Sequence, residues 1–384
     1  MLAASLAMAL PAAASAAEAA GRSTPDSPAA AAAASRKLVS PFGQLARKAV
    51  GTPEKAGCPS GPEPYTAALE FPSKYEGSGR SRDTLNPEAE ARYKLATRAM
   101  QGFEAGLSEL SNRYVQGDSG AGRCAMRWLD EWARANALTG PANMTGKAVR
   151  KWTLSAAAFT VLKVQDAPGM DTAQLQRVRN WLRNVAGIVI QEHSNIPAQK
   201  INNHFYWAAA AVGAVGIATD DRNLLDWAME GYRRSVAAID DEGVLPREMA
   251  RRSRALSYHL YALQPLVMLA EMGRVNGVDL YSVGDCALCR LVRRVTDGVA
   301  DPSFFETRTG ARQVMEDDAD GRALIWVAIL SHACPGDTRL QAMQARYRPF
   351  SGRRLGGNLT DIYEHNSKEL PDAIPTQACR HLWR

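Results

Sequence analysis

From Pro87 to Arg348 the chain carries apolar residues at helical spacing, and turn signals cut it at short intervals. That combination fixes what the chain can become. The cuts fall at Gly117-Asp118-Ser119-Gly120, Pro168-Gly169, Thr219-Asp220-Asp221, Asp241-Glu242-Gly243, Asn276-Gly277 and Pro335-Gly336-Asp337, all turn-favouring combinations. Between them the spacing predicts helices near 87–115, 121–136, 146–164, 171–192, 203–218, 221–238, 252–272, 279–298, 319–333 and 337–348. Pro87 opens the first of these, the position where proline is best tolerated. Strand-like alternation is scarce. Short connections make neighbouring helices antiparallel, so the class is all-α. Helix pairs arranged in a ring give an α/α toroid with a cleft at one end; the same periodicity is met by a plain bundle or a solenoid.

The ends read differently. Residues 2–16 are mostly Ala, Leu and Met and finish in Ala14-Ser15-Ala16, an A-x-A-like cleavage site, although the first cation is Arg22. Residues 1–16 are therefore expected to be a signal peptide, with a periplasmic destination. Residues 17–56, rich in Ala, Ser, Pro and Gly, are expected to be a flexible lead-in, and 57–384 a single domain. No later stretch is apolar for long enough to span a bilayer, so no membrane insertion is expected. The formal net charge of +6 favours a polyanionic partner such as nucleic acid, an anionic glycan or an anionic surface; plain basicity of an exported protein explains it equally well. The export signal and the lack of any nucleic-acid motif argue against nucleic acid. Of six cysteines, Cys286 and Cys289 have the spacing of a zinc or redox half-site. No second matching pair exists, so a disulfide or buried thiols is the expectation. Cys58 and Cys124 are expected to pair.

Two segments carry chemistry. Asn202-Asn203-His204-Phe205-Tyr206-Trp207 offers amides, an imidazole and an indole within two helical turns. About fifty residues on, Arg251, Arg254, Tyr258 and Tyr261 recur at three, four and three, while Leu256, Leu260, Leu263, Val267 and Ala270 mark another face. A plainer reading stands beside each: Asn202-Asn203 as a helix cap, Trp207 as core, the Arg/Tyr stripe as a solvated face. Together the groups suit elimination from a uronic acid. The C5 proton of a uronate is weakly acidic while its carboxylate keeps its charge, so the site must neutralise the carboxylate and stabilise the enolate-like state. Asn203, His204 and Arg251 are donors of the right kind, and a guanidinium matches a carboxylate with a rigid fork. A base must take the C5 proton and an acid must reach O4. Tyr258 serves for both if Arg251 and Arg254 lower its pKa.

The run Lys200-Ile201-Asn202-Asn203-His204-Phe205-Tyr206-Trp207-Ala208-Ala209 resembles the catalytic segment of the periplasmic alginate lyases of polysaccharide lyase family five. So does Arg251-Arg252-Ser253-Arg254-Ala255-Leu256-Ser257-Tyr258-His259, and Ser73-Lys74-Tyr75-Glu76-Gly77-Ser78 is similar to that family's mobile lid. Further similar pieces are Asn86-Pro87-Glu88-Ala89, Thr145-Gly146-Lys147, Arg150-Lys151-Trp152, Val275 to Leu280 and Arg354-Leu355-Gly356-Gly357. The resemblance implies an incomplete α/α toroid with a lid loop that cleaves β-1,4-linked polyuronates by β-elimination, leaving a 4,5-unsaturated uronate at the non-reducing end. It implies Asn203, His204 and Arg251 on the C5 carboxylate and Tyr258 as acid and base, with His204 as the other candidate base. Lys74 and Tyr75 then reach the substrate from the lid, and Asn143, Lys147, Trp207, Arg254 and Tyr261 line sugar subsites. No metal or cofactor is implied, and a monomer is expected.

The chain departs from the family in places. Asn143-Met144 stands where alginate-specific members have Asn-His, Leu245-Pro246-Arg247-Glu248 adds a cation, and residues 358–384 match poorly. These changes spare the catalytic set and widen the expected substrates to polyglucuronate or hyaluronate. The alternative class is a non-catalytic binder of anionic glycans; keeping a phenol beside an imidazole argues against it.

Overall fold

Side-chain caps start seven of the described helices. Asn86, Asp118, Asn143, Asp171, Asn202, Asp221 and Asp337 each accept a backbone N–H of the turn they precede, each bond stabilising by about 1 kcal/mol. The computed structural model describes residues 36–43, 45, 57–75, 84–314 and 321–364. The chain divides into residues 1–37 and 38–384, and the described helices all lie in the second unit. The expected signal peptide lies outside the described residues.

The helices are α1 (Pro87–Ala96), α2 (Arg98–Val115), α3 (Ser119–Arg134), α4 (Met144–Val164), α5 (Thr172–His193), α6 (Asn203–Thr219), α7 (Arg222–Val236), α8 (Ala255–Val275), α9 (Val283–Ala300), α10 (Ser303–Thr309), α11 (Trp326–Ala333) and α12 (Thr338–Tyr347). Alternate helices pack on one another: α2 on α4, α4 on α6, α6 on α8 and α8 on α11 form an inner row, while α3 packs on α5 and α7 on α9 outside it. Sequential partners close each pair, as in α2 with α3, α6 with α7 and α8 with α9. α6 is the hub, buried from Phe205 to Thr219 on every side. Its run Ala208 to Ala211 is fully buried, and such small side chains let four neighbouring helices approach at once.

Local differences from the expected elements have backbone causes. The span 87–115 breaks at Thr97, whose N–H and hydroxyl both return to the Tyr93 carbonyl at 3.0 and 2.7 Å. α8 starts at Ala255 because Arg252, at φ 52°, turns left-handed and Arg252–Arg254 form a 3-10 turn. α9 starts late: Gly284, Asp285 and Cys286 have φ of 64°, 52° and 56°. Helix α10 is too short to leave a periodic signal.

The irregular segment before α1 is strapped down. The Cys58–Cys124 disulfide ties it to α3, and Trp128 and Trp132 of α3 donate from Nε1 to the Pro59 and Pro62 carbonyls at 2.9 and 3.1 Å. Cys286 and Cys289 are buried thiols. Part of the segment expected as a lead-in is structural: Leu38, Phe42 and Leu45 are buried. The Leu38 and Val39 amides donate to Asp220 and Asn276 at 2.8 and 2.9 Å, and the Phe42 ring packs on Phe159 at 5.7 Å. An apolar side chain every three or four residues is enough to anchor an Ala/Ser-rich stretch that composition alone marks as a linker.

Late in the chain, β1 (Ser351–Gly352) pairs antiparallel with β2 (Gly357–Asn358), Ser351 opposite Asn358. The 3-10 turn Arg353–Leu355 between them packs on α2 and α4.

Candidate active site

The N-terminal ends of α2, α4, α6 and α8 border one cleft of about 730 Å³. Aligned peptide dipoles make each of those ends partly positive. The described lining side chains add to that field: among them Lys74, Lys94, Arg251, Arg254, Arg322, Arg353 and Arg354 face a single carboxylate, Glu90. Such a cleft selects an anion.

Asn203, His204, Arg251 and Tyr258, expected to act together, line it together. Asn203 and His204 are the first residues of α6, set there by Asn202, whose side chain accepts the His204 N–H at 3.0 Å. Arg251 arrives from the 3-10 turn before α8 and Tyr258 from the first turn of α8, and the Arg251 guanidinium lies 4.7 Å from the centre of the Tyr258 ring.

Behind this set sits Glu248, fully buried, which sequence reasoning passed over. Its carboxylate accepts from the Asn203 backbone at 2.8 Å and from Asn203 Nδ2 at 3.0 Å, and lies 3.8 Å from Arg251 Nε. One carboxylate thus orients two donors on different elements. Burial raises the Glu248 pKa, and Arg251 and Asn203 offset part of that rise. His204 is held from the other side: Lys151 Nζ of α4 is 3.1 Å from His204 Nδ1. Lys151 is buried, and burial pushes its ammonium down to about 7. A third buried group, Glu104, accepts from Thr153 Oγ1 at 2.9 Å and pairs with Arg353 and Arg354 at 3.2 and 3.6 Å. Arg354 then stacks on Trp152 at 4.0 Å and donates to Tyr261 Oη at 3.0 Å. No spacing rule in the sequence connects these residues to their partners.

The Tyr258 phenol differs from expectation. It was expected to be acidified by Arg251 and Arg254. Burial instead raises it well above the ordinary tyrosine value, Tyr75 adds to the rise, and the two arginines offset only part. Tyr258 is therefore a neutral phenol at rest, bonded to Tyr75 Oη at 2.8 Å. Lys74 lies 5.3 Å and Arg254 5.9 Å from the centre of the Tyr75 ring. The rest of the expected lid, Glu76 to Ser78, lies outside the described residues.

Of the expected subsite residues, Lys74, Tyr75, Trp207, Arg254 and Tyr261 line the cleft. Trp207 does so from a buried position, tilted on Tyr261 at 5.2 Å. Asn143 and Lys147 do not line it. The Asn143 amide is spent on structure: Oδ1 accepts the Gly146 N–H at 2.8 Å and Nδ2 donates to the Phe71 carbonyl at 3.0 Å. Lys147 falls on the opposite side of α4, beside Arg150 and Glu192. Met144 and Thr145 take that wall instead. Gly146 makes the wall possible, because a Cβ there would collide with the Leu69 carbonyl oxygen and push away the segment that leads to Ser73 and Tyr75.

The model of the alginate lyase family matches residues 70–305. The chain belongs to the alginate lyase family. It is 40% identical over 321 residues to the alginate lyase of Pseudomonas putida strain W619, covering 81% of this chain and 86% of that one. It is 40% identical over 342 residues to that of Azotobacter vinelandii, covering 87% and 91%. Membership makes the protein a polysaccharide lyase. Among solved structures, alginate lyase A1-III of Sphingomonas species A1 superposes with a TM-score of 0.71 at 23% identity, covering 86% of this chain and 98% of that one. A variant of alginate lyase A1-III complexed with tetrasaccharide gives 0.74 at 24% identity, covering 86% and 97%. These likenesses show the fold, an α/α toroid. Among the described residues, no helix of this family member is long and apolar enough to cross a membrane.

Proposed function

We propose that the protein cleaves β-1,4-linked polyuronates, poly-β-D-mannuronate of alginate foremost, by β-elimination. The observation that carries this reading is the convergence of Asn203, His204, Arg251 and Tyr258 on one cationic cleft. The C5 carboxylate sits among Asn203, His204 and Arg251, whose donors strengthen as negative charge moves onto it in the transition state. Tyr258 exchanges the protons. In β-mannuronate the C5 hydrogen and O4 lie on one side of the ring, so a single phenol takes the first and protonates the second. As base it must first release its own proton to solvent; the phenolate then takes the C5 proton and passes it to O4, and so is regenerated. A sugar that takes the place of the Tyr75 hydroxyl removes the second cause of the raised pKa; burial, the largest, remains, and Arg251 and Arg254 oppose it in favour of the phenolate. The product is an oligosaccharide with a 4,5-unsaturated uronate at its non-reducing end.

Met144 is 67% exposed on the cleft wall, an apolar group facing the sugar where the family places a histidine. That relaxes the demand for a hydrogen-bonding partner on the substrate and supports polyglucuronate and hyaluronate as further substrates. The apolar N-terminus supports export to the periplasm, where the protein acts as a monomer without metal or cofactor.

Incubation with polymannuronate, polyguluronate, polyglucuronate and hyaluronate, followed by ultraviolet absorbance of the new double bond, tests the reading. A rise with polymannuronate and little with polyguluronate is expected. No rise with any of the four refutes elimination, and binding without a rise assigns the protein as a glycan binder.

A further inference from the structure

Lys151 is placed oddly for a lysine. It is 1% exposed in the middle of the inner helix α4, and among the described residues it forms no ion pair with a carboxylate. The groups facing it come from three elements. From α5 come Glu192, already paired with Arg150, and His193, buried, pushed down to about 4 by that burial and by Lys151, with Nδ1 bonded to the Val189 carbonyl at 2.8 Å. From the turn between β1 and β2 comes Arg354, a second cation that disfavours the ammonium. From α6 comes His204, its one hydrogen-bond partner among the described residues, at 3.1 Å. The Lys151 ammonium also lies 5.1 Å from the centre of the Trp152 ring. A buried amine with this surrounding is costly, and its reach is spent on one ring nitrogen.

We propose that Lys151 is a positioning residue that fixes the tautomer of His204. An ammonium has three donors and no acceptor, so Nδ1 of a ring bonded to it must be the acceptor. The single ring proton of the neutral imidazole then resides on Nε2. His204 accordingly presents an N–H to the substrate carboxylate and cannot serve as the base, which leaves proton exchange to Tyr258. This inference rests on the carboxylate role given to His204 above. The constraint lifts when Lys151 loses its proton: a neutral amine both donates and accepts, so Nδ1–H is then allowed beside it and the Nε2–H tautomer is no longer enforced. Because burial brings the lysine down to about 7, the N–H toward the substrate is enforced below that value and no longer enforced above it.

Two-bond proton–nitrogen spectra of the full-length protein labelled with 15N-histidine read the tautomer directly. Six histidines are present, and His204→Ala assigns the resonance. At pH 6 the wild type is expected to show His204 protonated at Nε2 alone, with an Nδ1–H fraction appearing as the pH is raised. In Lys151→Met the ring is expected to become a mixture without that pH step. Turnover on polymannuronate should fall about 10- to 100-fold, somewhat less than loss of a whole transition-state donor, with KM changed less than kcat. A wild type protonated at Nδ1 at pH 6 overturns the proposal, and that measurement needs no variant to fold. A folded Lys151→Met with the wild-type tautomer and wild-type kcat overturns it as well. The lyase reading fails separately: Nε2–H with no new double bond on any polyuronate upholds the Lys151 assignment and removes the role of His204 on a carboxylate.

Discussion

Two buried glutamate–arginine pairs, both at i and i+3, do opposite things in this molecule. Glu271 and Arg274, late in α8, close on each other: Nε donates to Oε2 at 2.7 Å and Nη2 to Oε1 at 2.5 Å. Both charges are consumed within the pair, at 1% exposure each. Glu248 and Arg251 are held apart at 3.8 Å. The Glu248 oxygens go to Asn203, and the Arg251 guanidinium turns over the Tyr258 ring instead of gripping its carboxylate. A closed fork has no capacity left for a ligand, whereas a guanidinium that is only partly neutralised, at the wall of a cationic cleft, retains field for a sugar acid. Spacing in sequence does not distinguish the two; the third residue does, since Asn203 draws both oxygens of Glu248 away from Arg251, whereas Tyr281 beside Glu271 leaves its fork with Arg274 closed.

That contrast breaks most visibly at Tyr258. Tyr258→Phe is expected to lower kcat by about 10²- to 10⁴-fold while Tm stays near the wild type, because only the Tyr75 hydroxyl loses a partner; a turnover within threefold of wild type would place the chemistry elsewhere. Glu271→Ala should do the reverse, costing about 3–5 kcal/mol of stability by leaving Arg274 alone, with kcat per folded molecule unchanged. Denaturant unfolding and active-site titration on the same preparation separate the two effects. Arg251→Met should cut kcat by about 10²- to 10³-fold, the loss for one transition-state donor, without the stability loss of Glu271→Ala. If it instead destabilises as strongly, the two pairs are alike and the distinction fails.

Lys163 sharpens the comparison as a buried cation with no carboxylate in an ion pair among the described residues. Its ammonium lies 3.4 Å from Asn112 Oδ1 and 5.8 Å from the centre of the Phe42 ring, and burial pushes it down to about 7. Below that pH the folded protein holds a buried charge and bears the full desolvation cost. As pH rises from about 7 toward the ordinary lysine value, the folded state sheds the proton while the unfolded chain keeps it, so stability increases. Lys163→Met should therefore stabilise by roughly 1–2 kcal/mol at pH 6 and by less at pH 9, read as Tm at the two values. An equal gain at both would mean that the amine is neutral throughout.

Much of this was legible in the chain. Asp and Asn caps and Gly-containing turns marked the helix boundaries, and the Asn203-His204 and Arg251 to Tyr258 segments announced themselves by residue type. The rest depended on contacts between elements that no local rule links. Lys151 reads as one lysine in Arg150-Lys151-Trp152, and only the packing of α4 on α6 brings it to His204, 53 residues away. Glu248 looks like a loop charge until the fold buries it under Asn203. Tyr258 was misjudged for the same reason: the arginines are visible in the sequence, but the burial that outweighs them is not. Asn143 shows the converse, since its cap geometry uses both ends of an amide that residue type alone offers to a substrate.

The clasp at the front of the described structure has a temporal consequence. Leu38 bonds to Asp220 and Val39 to Asn276 across 182 and 237 positions of chain, so their receptors emerge from a ribosome long after they do. This early-made stretch must wait, undocked, until the turns after α6 and α8 exist. Such distant closures are slow to form; the clasp is a late step of assembly, and a chain truncated before Asn276 would lack the second of its two receptors.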